Sequence, residues 1–415
     1  MTEKILLPSG LRIVVEPMPH LRSVSTGLWV SAGSAFENEQ QSGMSHFLEH
    51  LLFKGTEKRN AMEISAAMEG VGGLLNAFTG REHTCYYTRS MDEHFQLSLE
   101  LLADMYANSL LAPEEVDRER NVIIEEINMY EDSPDDVATD LFISQLWPGH
   151  AYGRPISGTI ESVTAVSREQ LADYWRSVYV PQRTVLAVAG HVESEQVREL
   201  AEQLFPARSG QALPQLCQPQ PQSGSTERVK DIEQSHVCLG FPGVALDDPD
   251  YYAANVLSNI LGGGACSRLF QEVREKRGLA YSSYCYLDSL VAGGYLMAYS
   301  ATQPSRTEEL IKVMAEQFID IREHGVSDEE LKRSKDQLRG SLLLSMESSS
   351  SVMSSLGRME IALGRLYDVE ERVQSIAAVN QEDIRRVTER LLQPGTMVMS
   401  QVSPKPAALR AKELF

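Results

Sequence analysis

The sequence predicts an α+β fold built twice over, and three observations carry that expectation. Strand-like alternation and helical periodicity follow one another in mixed order. A stretch dominated by Gln, Pro, Ser and Gly, ARSGQALPQLCQPQPQSGST from Ala207 to Thr226, divides the 415 residues into near-equal halves. The two halves then repeat the same order of features, the mark of an internal duplication.

In the first half, Leu11 to Val15 and Ser25 to Val30 alternate as strands, and His236 to Gly240 does so in the second. A helix ending in glycine follows, HFLEHLLFKG (46–55) against NVLSNILGGG (255–264). Strand-like runs come next, HTCYYTRS (83–90) against GGYLMAYSA (293–301). Each half continues with an amphipathic helix and a turn into an acidic helix start, PEEVDRER (113–120) against SDEELKRS (327–334). Ser327 with Glu330 three residues on reads as a capping box. The repeated unit is therefore an α+β domain of about 200 residues. This divides the chain into domain 1–206, linker 207–227 and domain 228–415.

Composition narrows the function. With 42% hydrophobic and 23% charged residues the chain reads as a globular protein, longer than one core usually serves. The start MTEKILLPSG lacks the basic, long apolar pattern of a secretory signal, and no run approaches the roughly 20 apolar residues of a spanning helix. The expected location is the cytoplasm. Cys85, Cys217, Cys238, Cys266 and Cys285 are scattered without CxxC spacing, which argues against a disulfide framework. A formal charge of −20 speaks against nucleic acid and would favour basic or neutral partners if the acids line a cavity.

The chemistry concentrates in SGMSHFLEHLLFKGT (42–56). Ser42 or Ser45 can cap a helix there, the apolar pattern is helical, and Gly55 stops it. His46 and His50 lie four apart, on one helix face, so both imidazoles can reach a single metal ion. Glu49 projects beside them, where a carboxylate can take a proton from a water activated by zinc. A third ligand is required, and an acid on another helix would supply it. RERNVIIEEINMYED (118–132) offers Glu119 and Glu126, seven residues apart and on one face, with Glu125 turned about 100° away from Glu126. Spacing alone does not choose between Glu125 and Glu126. The repeat sets Asn255, Ser258 and Asn259 opposite His46, Glu49 and His50, and Ser341 opposite Glu126. One site per chain is expected, in the first half.

Taken together these segments resemble the pitrilysin family of inverted-motif zinc peptidases, in particular its two-domain branch of bacterial processing-type peptidases and the mitochondrial processing peptidase β subunit. The resemblance runs through GLRIVVEPMPH, GSAFENEQQSGMSHFLEHLLFKGT, GGLLNAFTGREHTCYY, RERNVIIEEINM, AYGRPISGT and GGGACSRLFQEVREKRGLAYSSY, in that order along nearly the whole chain. It implies two homologous domains, each a mainly antiparallel sheet with helices packed on it, arranged as a clam-like half chamber. His46, His50 and Glu126 would be ligands of one Zn²⁺, Glu49 the base, and Glu119 a group orienting a ligand histidine. Asn76, Ala77 and Phe78 match the family's edge strand, which binds an extended peptide through its main chain. Arg274 and Tyr281 match a pair that reaches substrate, Tyr281 as an oxyanion donor and Arg274 on a substrate carbonyl.

The activity so implied is a zinc-dependent endopeptidase acting on short or unfolded peptides in extended form, basic ones among them. Closure of the halves would assemble the site. Larger relatives carry four such domains, so a chamber made from two-domain chains implies a homodimer. The triple glycine 262–264 lacks the continuation of a phosphate loop and binds no nucleotide on this reading. His83 reads as a packed or hydrogen-bonded residue, and the remaining six histidines lack ligand-like spacing.

Overall fold

A computed structural model describes residues 2–212, 214–366 and 368–415. The first sheet contains β1 (Glu3–Leu6), β2 (Arg12–Pro17), β3 (Ser23–Val30), β4 (Leu74–Thr79), β5 (Thr84–Met91) and β6 (Thr184–Gly190), in the order β1-β2-β6-β3-β5-β4. The second contains β7 (Gly224–Val229), β8 (Ser235–Pro242), β9 (Ser283–Ser289), β10 (Gly294–Thr302) and β11 (Val398–Ser403), in the order β7-β11-β8-β10-β9. One neighbouring pair in each sheet is parallel, β2 with β6 and β7 with β11, and the others are antiparallel. With β1 set aside, the second sheet repeats the first strand for strand. The expected duplication of an α+β unit is present.

The first sheet is apolar on both faces. Ile13, Val15, Leu28, Tyr86, Leu186 and Val188 face a core shared with the helices Met44–Leu52, Phe95–Asn108 and Arg168–Val178. Val14, Trp29, Cys85, Val185 and Ala187 face the other way, against Val352 and Met353 of the helix Ser349–Leu363. This double cover explains β6, TVLAVAG, in which every residue is buried. A Cβ at Gly357 would overlap the Trp29 indole, so that helix reaches the sheet only because the position is glycine. Its Glu360 is fully buried and pairs with Lys4 of β1 at 2.7 Å and Arg12 of β2 at 3.3 Å.

The compact units do not follow the halves of the sequence. Unit one takes residues 1–127, 155–215 and 344–367, and unit two the remaining segments, 128–154, 216–343 and 368–415. A helix from the second half, Ser349–Leu363, therefore covers the first sheet. A helix from the first half, Pro134–Leu146, packs on β7, β8 and β11 of the second, where Ser400 Oγ donates to the Ala138 carbonyl at 2.6 Å. Residues 224–227, inside the stretch read as a linker, begin β7.

The sequence-based elements fall where expected, with strands at β2, β3, β5, β8 and β10. Ser327 and Glu330 form the capping box: the Ser327 N–H donates to Glu330 Oε2 at 2.8 Å and the Glu330 N–H to Ser327 Oγ at 3.2 Å. All five cysteines are free. Among the described residues no helix is long and apolar enough to cross a membrane.

Candidate metal centre

The helix Met44–Leu52 buries Phe47, Leu48, Leu51 and Leu52 and leaves its opposite face to His46, Glu49 and His50. Its start differs from the expectation. Neither Ser42 nor Ser45 caps it; the N-cap is Gly43 at φ +91, a backbone conformation glycine tolerates. The buried Glu37 does the capping instead, accepting from the Gly43 N–H at 2.8 Å and the Ser45 N–H at 2.7 Å. Ser45 Oγ is bonded to Tyr174 Oη at 2.9 Å.

The imidazoles of His46 and His50 lie edge to face, with ring centroids 4.8 Å apart. Glu126, on the helix Pro113–Asp132, aims Oε2 at both, 3.6 Å from His46 Nε2 and 3.3 Å from His50 Nε2. Glu125, left open by spacing, is exposed. Ligand atoms of His46, His50 and Glu126 lie within 4.8 Å of one another, and among the described residues they form the one such group able to hold a metal ion. Two imidazole nitrogens and a carboxylate oxygen suit zinc. Behind them Glu119, 2% exposed, accepts from His50 Nδ1 at 3.1 Å, which turns Nε2 toward the cluster.

Electrostatics separates the groups. Burial and the neighbouring His50 pull His46 down to about 4 despite the charge of Glu126. Burial also opposes charge on His50, but hydrogen bonds to Glu119 and Glu126 and the charges of Glu126 and Glu49 prevail and raise it to about 9. Glu49 is raised by burial, an effect that a hydrogen bond from Thr79 counters. Glu119 resists burial because His50 and Lys54 donate to it, and its carboxyl stays below the ordinary range. Glu49, Glu119 and the two histidines thus stand in distinct environments on adjoining elements.

The predicted edge segment lies beside this cluster. Asn76, Ala77 and Phe78 belong to β4, whose outer side pairs with no strand among the described residues, and Asn76 and Phe78 are exposed. Thr79, the last residue of β4, donates to Glu49 Oε2 at 2.5 Å. His83 packs on Trp29 at 5.0 Å and Phe78 at 6.0 Å, and burial together with Arg358 lowers it to about 4. It is a packed histidine.

Arg274 and Tyr281 belong to the second unit, where the structure brings them together. The Arg274 guanidinium lies 4.8 Å from the Phe270 ring and 4.4 Å from the Tyr281 ring, and donates to the Tyr281 carbonyl at 3.3 Å. Arg274 sits on a π-helical turn, Phe270–Glu275, a geometry frequent at functional positions. The repeat partner of the metal cluster is neutral: Asn259 donates to Ser334 Oγ at 2.9 Å, in the places that correspond to His50 and Glu119.

Three contributors escaped the sequence reading: Thr79 on Glu49, Lys54 on Glu119 at 2.8 Å, and Glu37 at the helix start. Lys54 stands four residues after His50, so helical spacing offered a signal for it. Thr79 and Glu37 had none.

The family model described as insulinase (peptidase family M16) matches residues 12–160, and that of the peptidase M16 inactive domain matches residues 165–338. An uncharacterized zinc protease of Streptomyces coelicolor is 40% identical over 97% of this chain and 90% of its own length. One of Bacillus subtilis is 38% identical over 94% and 96%. Among solved structures, a protease from Helicobacter pylori shares the fold with a TM-score of 0.93 at 24% identity, covering 97% of this chain and 99% of that one. A peptidase M16 inactive domain from Pseudomonas fluorescens shares it at 0.89 and 23%, covering 98% of each chain. A two-domain fold carrying a His/His/Glu cluster in its first unit, matched along both halves and at 40% identity over nearly its whole length, places this chain in the M16 peptidase family, the insulinase or pitrilysin family.

Proposed function

We propose that this protein is a zinc-dependent endopeptidase that hydrolyses short or unfolded peptides bound in extended form. The observation that carries the reading is the convergence of His46, His50 and Glu126 with Glu49 on the same helix face. The names of the full-length relatives support it. His46, His50 and Glu126 would hold one Zn²⁺ per chain, with Glu119 fixing the ring of His50. Zinc bound there supplies Lewis acidity toward a peptide carbonyl and an attacking water.

This chain's residues do the rest. The open edge of β4 at Asn76–Phe78 takes the peptide as an added strand. Glu49, with Oε2 held by Thr79, accepts the water proton on Oε1 and returns it to the leaving amine. Tyr281 donates its hydroxyl to the developing oxyanion, and Arg274 holds a substrate carbonyl. Basic peptides are the favoured substrates given the charge of −20, the working assembly is a homodimer, and the location is the cytoplasm.

Cleavage of a quenched fluorescent peptide library by wild type, E49Q and chelator-treated protein tests the reading. Activity lost in the last two and restored to the stripped wild type by zinc supports it. Metal-loaded wild type that cuts no peptide sinks it.

A further inference from the structure

We propose that Lys54 is a positioning residue of the metal centre: it anchors Glu119, which in turn fixes the ring of His50. This deepens the zinc-site reading and rests on it. The contacts divide one carboxylate between two partners, Oε1 to Lys54 Nζ at 2.8 Å and Oε2 to His50 Nδ1 at 3.1 Å. With both oxygens held, the Glu119 carboxylate cannot rotate away from the imidazole.

Burial makes the ammonium necessary. Glu119 is 2% exposed, and a buried carboxylate facing a neutral imidazole N–H alone is poorly compensated. Lys54 supplies the opposite charge from a side chain about one third exposed. The backbone delivers it there: the helix ends at Leu52, the Lys54 N–H turns back to the Leu51 carbonyl at 3.0 Å, and Gly55 follows at φ +136. Lys54 also joins two ligand-bearing elements. His46 and His50 lie on the helix that it follows, and Glu119 shares a helix with Glu126.

Two effects of removing Lys54 oppose each other. A carboxylate relieved of the ammonium pulls harder on the His50 Nδ1 proton, which strengthens Nε2 as a donor and tightens metal binding. A carboxylate that has lost its anchor no longer holds the ring, which weakens binding. The burial of Glu119 decides for the second, because an uncompensated buried charge leaves its place.

The test is zinc affinity of the full chain by competition with a fluorescent chelator. K54M is expected to weaken zinc about tenfold, the low end for partners behind a ligand, and K54R to stay within about threefold of wild type. E119Q weakens zinc by about 10- to 100-fold, and K54M added to E119Q costs less than about twofold more, because Lys54 acts through Glu119. Melting of the metal-free forms checks folding, and K54Q, which keeps a donor, replaces K54M if that variant is unfolded. Unchanged or tighter zinc in K54M, or full additivity with E119Q, overturns the inference alone. A wild type that binds no zinc overturns the zinc reading and this inference with it.

Discussion

Thr79 Oγ1 donates to Glu49 Oε2 at 2.5 Å, so the residue that ends the open edge strand also holds the glutamate of the metal-site helix. The strand edge proposed to take the peptide and the carboxylate proposed to move the proton are thereby joined by one hydrogen bond. Replacing Thr79 by Val keeps the shape and removes the donor. Burial then raises the Glu49 carboxyl unopposed by that bond. In the proposed role of base the group works as a carboxylate, so activity is lost as pH falls through its pKa, and a higher pKa moves the acid limb of kcat/KM to higher pH. At pH 7 kcat should fall about tenfold with KM unchanged, the loss expected for one hydrogen bond to a charged group. Steady-state pH profiles of the two proteins check this.

Glu49 should be dispensable for metal and indispensable for turnover. E49Q is expected to keep its zinc and lose activity by about a thousandfold, in the range for a general base. E126A should lose the metal, whereas E125A keeps both metal and activity, since Glu125 is exposed and Glu126 faces both histidines. Metal analysis after dialysis, beside peptide hydrolysis, separates the three variants.

Zinc binding should release a proton. At pH 7 in the metal-free chain, His46, lowered to about 4, is neutral, and His50, raised to about 9, is charged. Only a neutral imidazole ligates, so each zinc bound displaces about one proton from His50. Affinity should therefore climb about tenfold per pH unit up to pH 9 and level off above it. Calorimetry in buffers of different ionisation enthalpy counts the proton directly.

Gly357→Ala tests the helix laid on the first sheet. In an exposed helix the change stabilises by about 1 kcal/mol. Here the new Cβ overlaps the Trp29 indole, itself 2% exposed and unable to yield. The expected result is a loss of about 1–3 kcal/mol, the cost of overpacking. Denaturant unfolding gives the sign.

The meeting of His46 and His50 was legible because a helix converts a spacing of four into one face, and their ring centroids lie 4.8 Å apart. Spacing could not separate Glu125 from Glu126, since that depends on how a second helix is rotated against the first; the family resemblance pointed to Glu126, which the structure turns toward the histidines. Thr79 was hidden for a related reason: 30 residues separate it from Glu49, and only a strand running back beside the metal-site helix joins them. The repeated succession of strands and helices along the chain was readable from local periodicity, but the order of the strands within each sheet was not. The exchange of helices was not readable either, because apolar residues such as Val137, Phe142, Ile143 and Leu146 in Pro134–Leu146 say that it is covered and not which sheet covers it.

That exchange has a consequence for how the protein is made. A ribosome releases the first sheet early, by residue 190, but the helix that seals its Val14–Trp29–Ala187 face ends at residue 363. Throughout the intervening synthesis an apolar face of the first unit waits uncovered, although domains ordinarily fold in the order they emerge. The two units therefore mature together near the end of translation, and a chain truncated within the second half would leave the first unit, with its His/His/Glu cluster, unfinished and prone to aggregate.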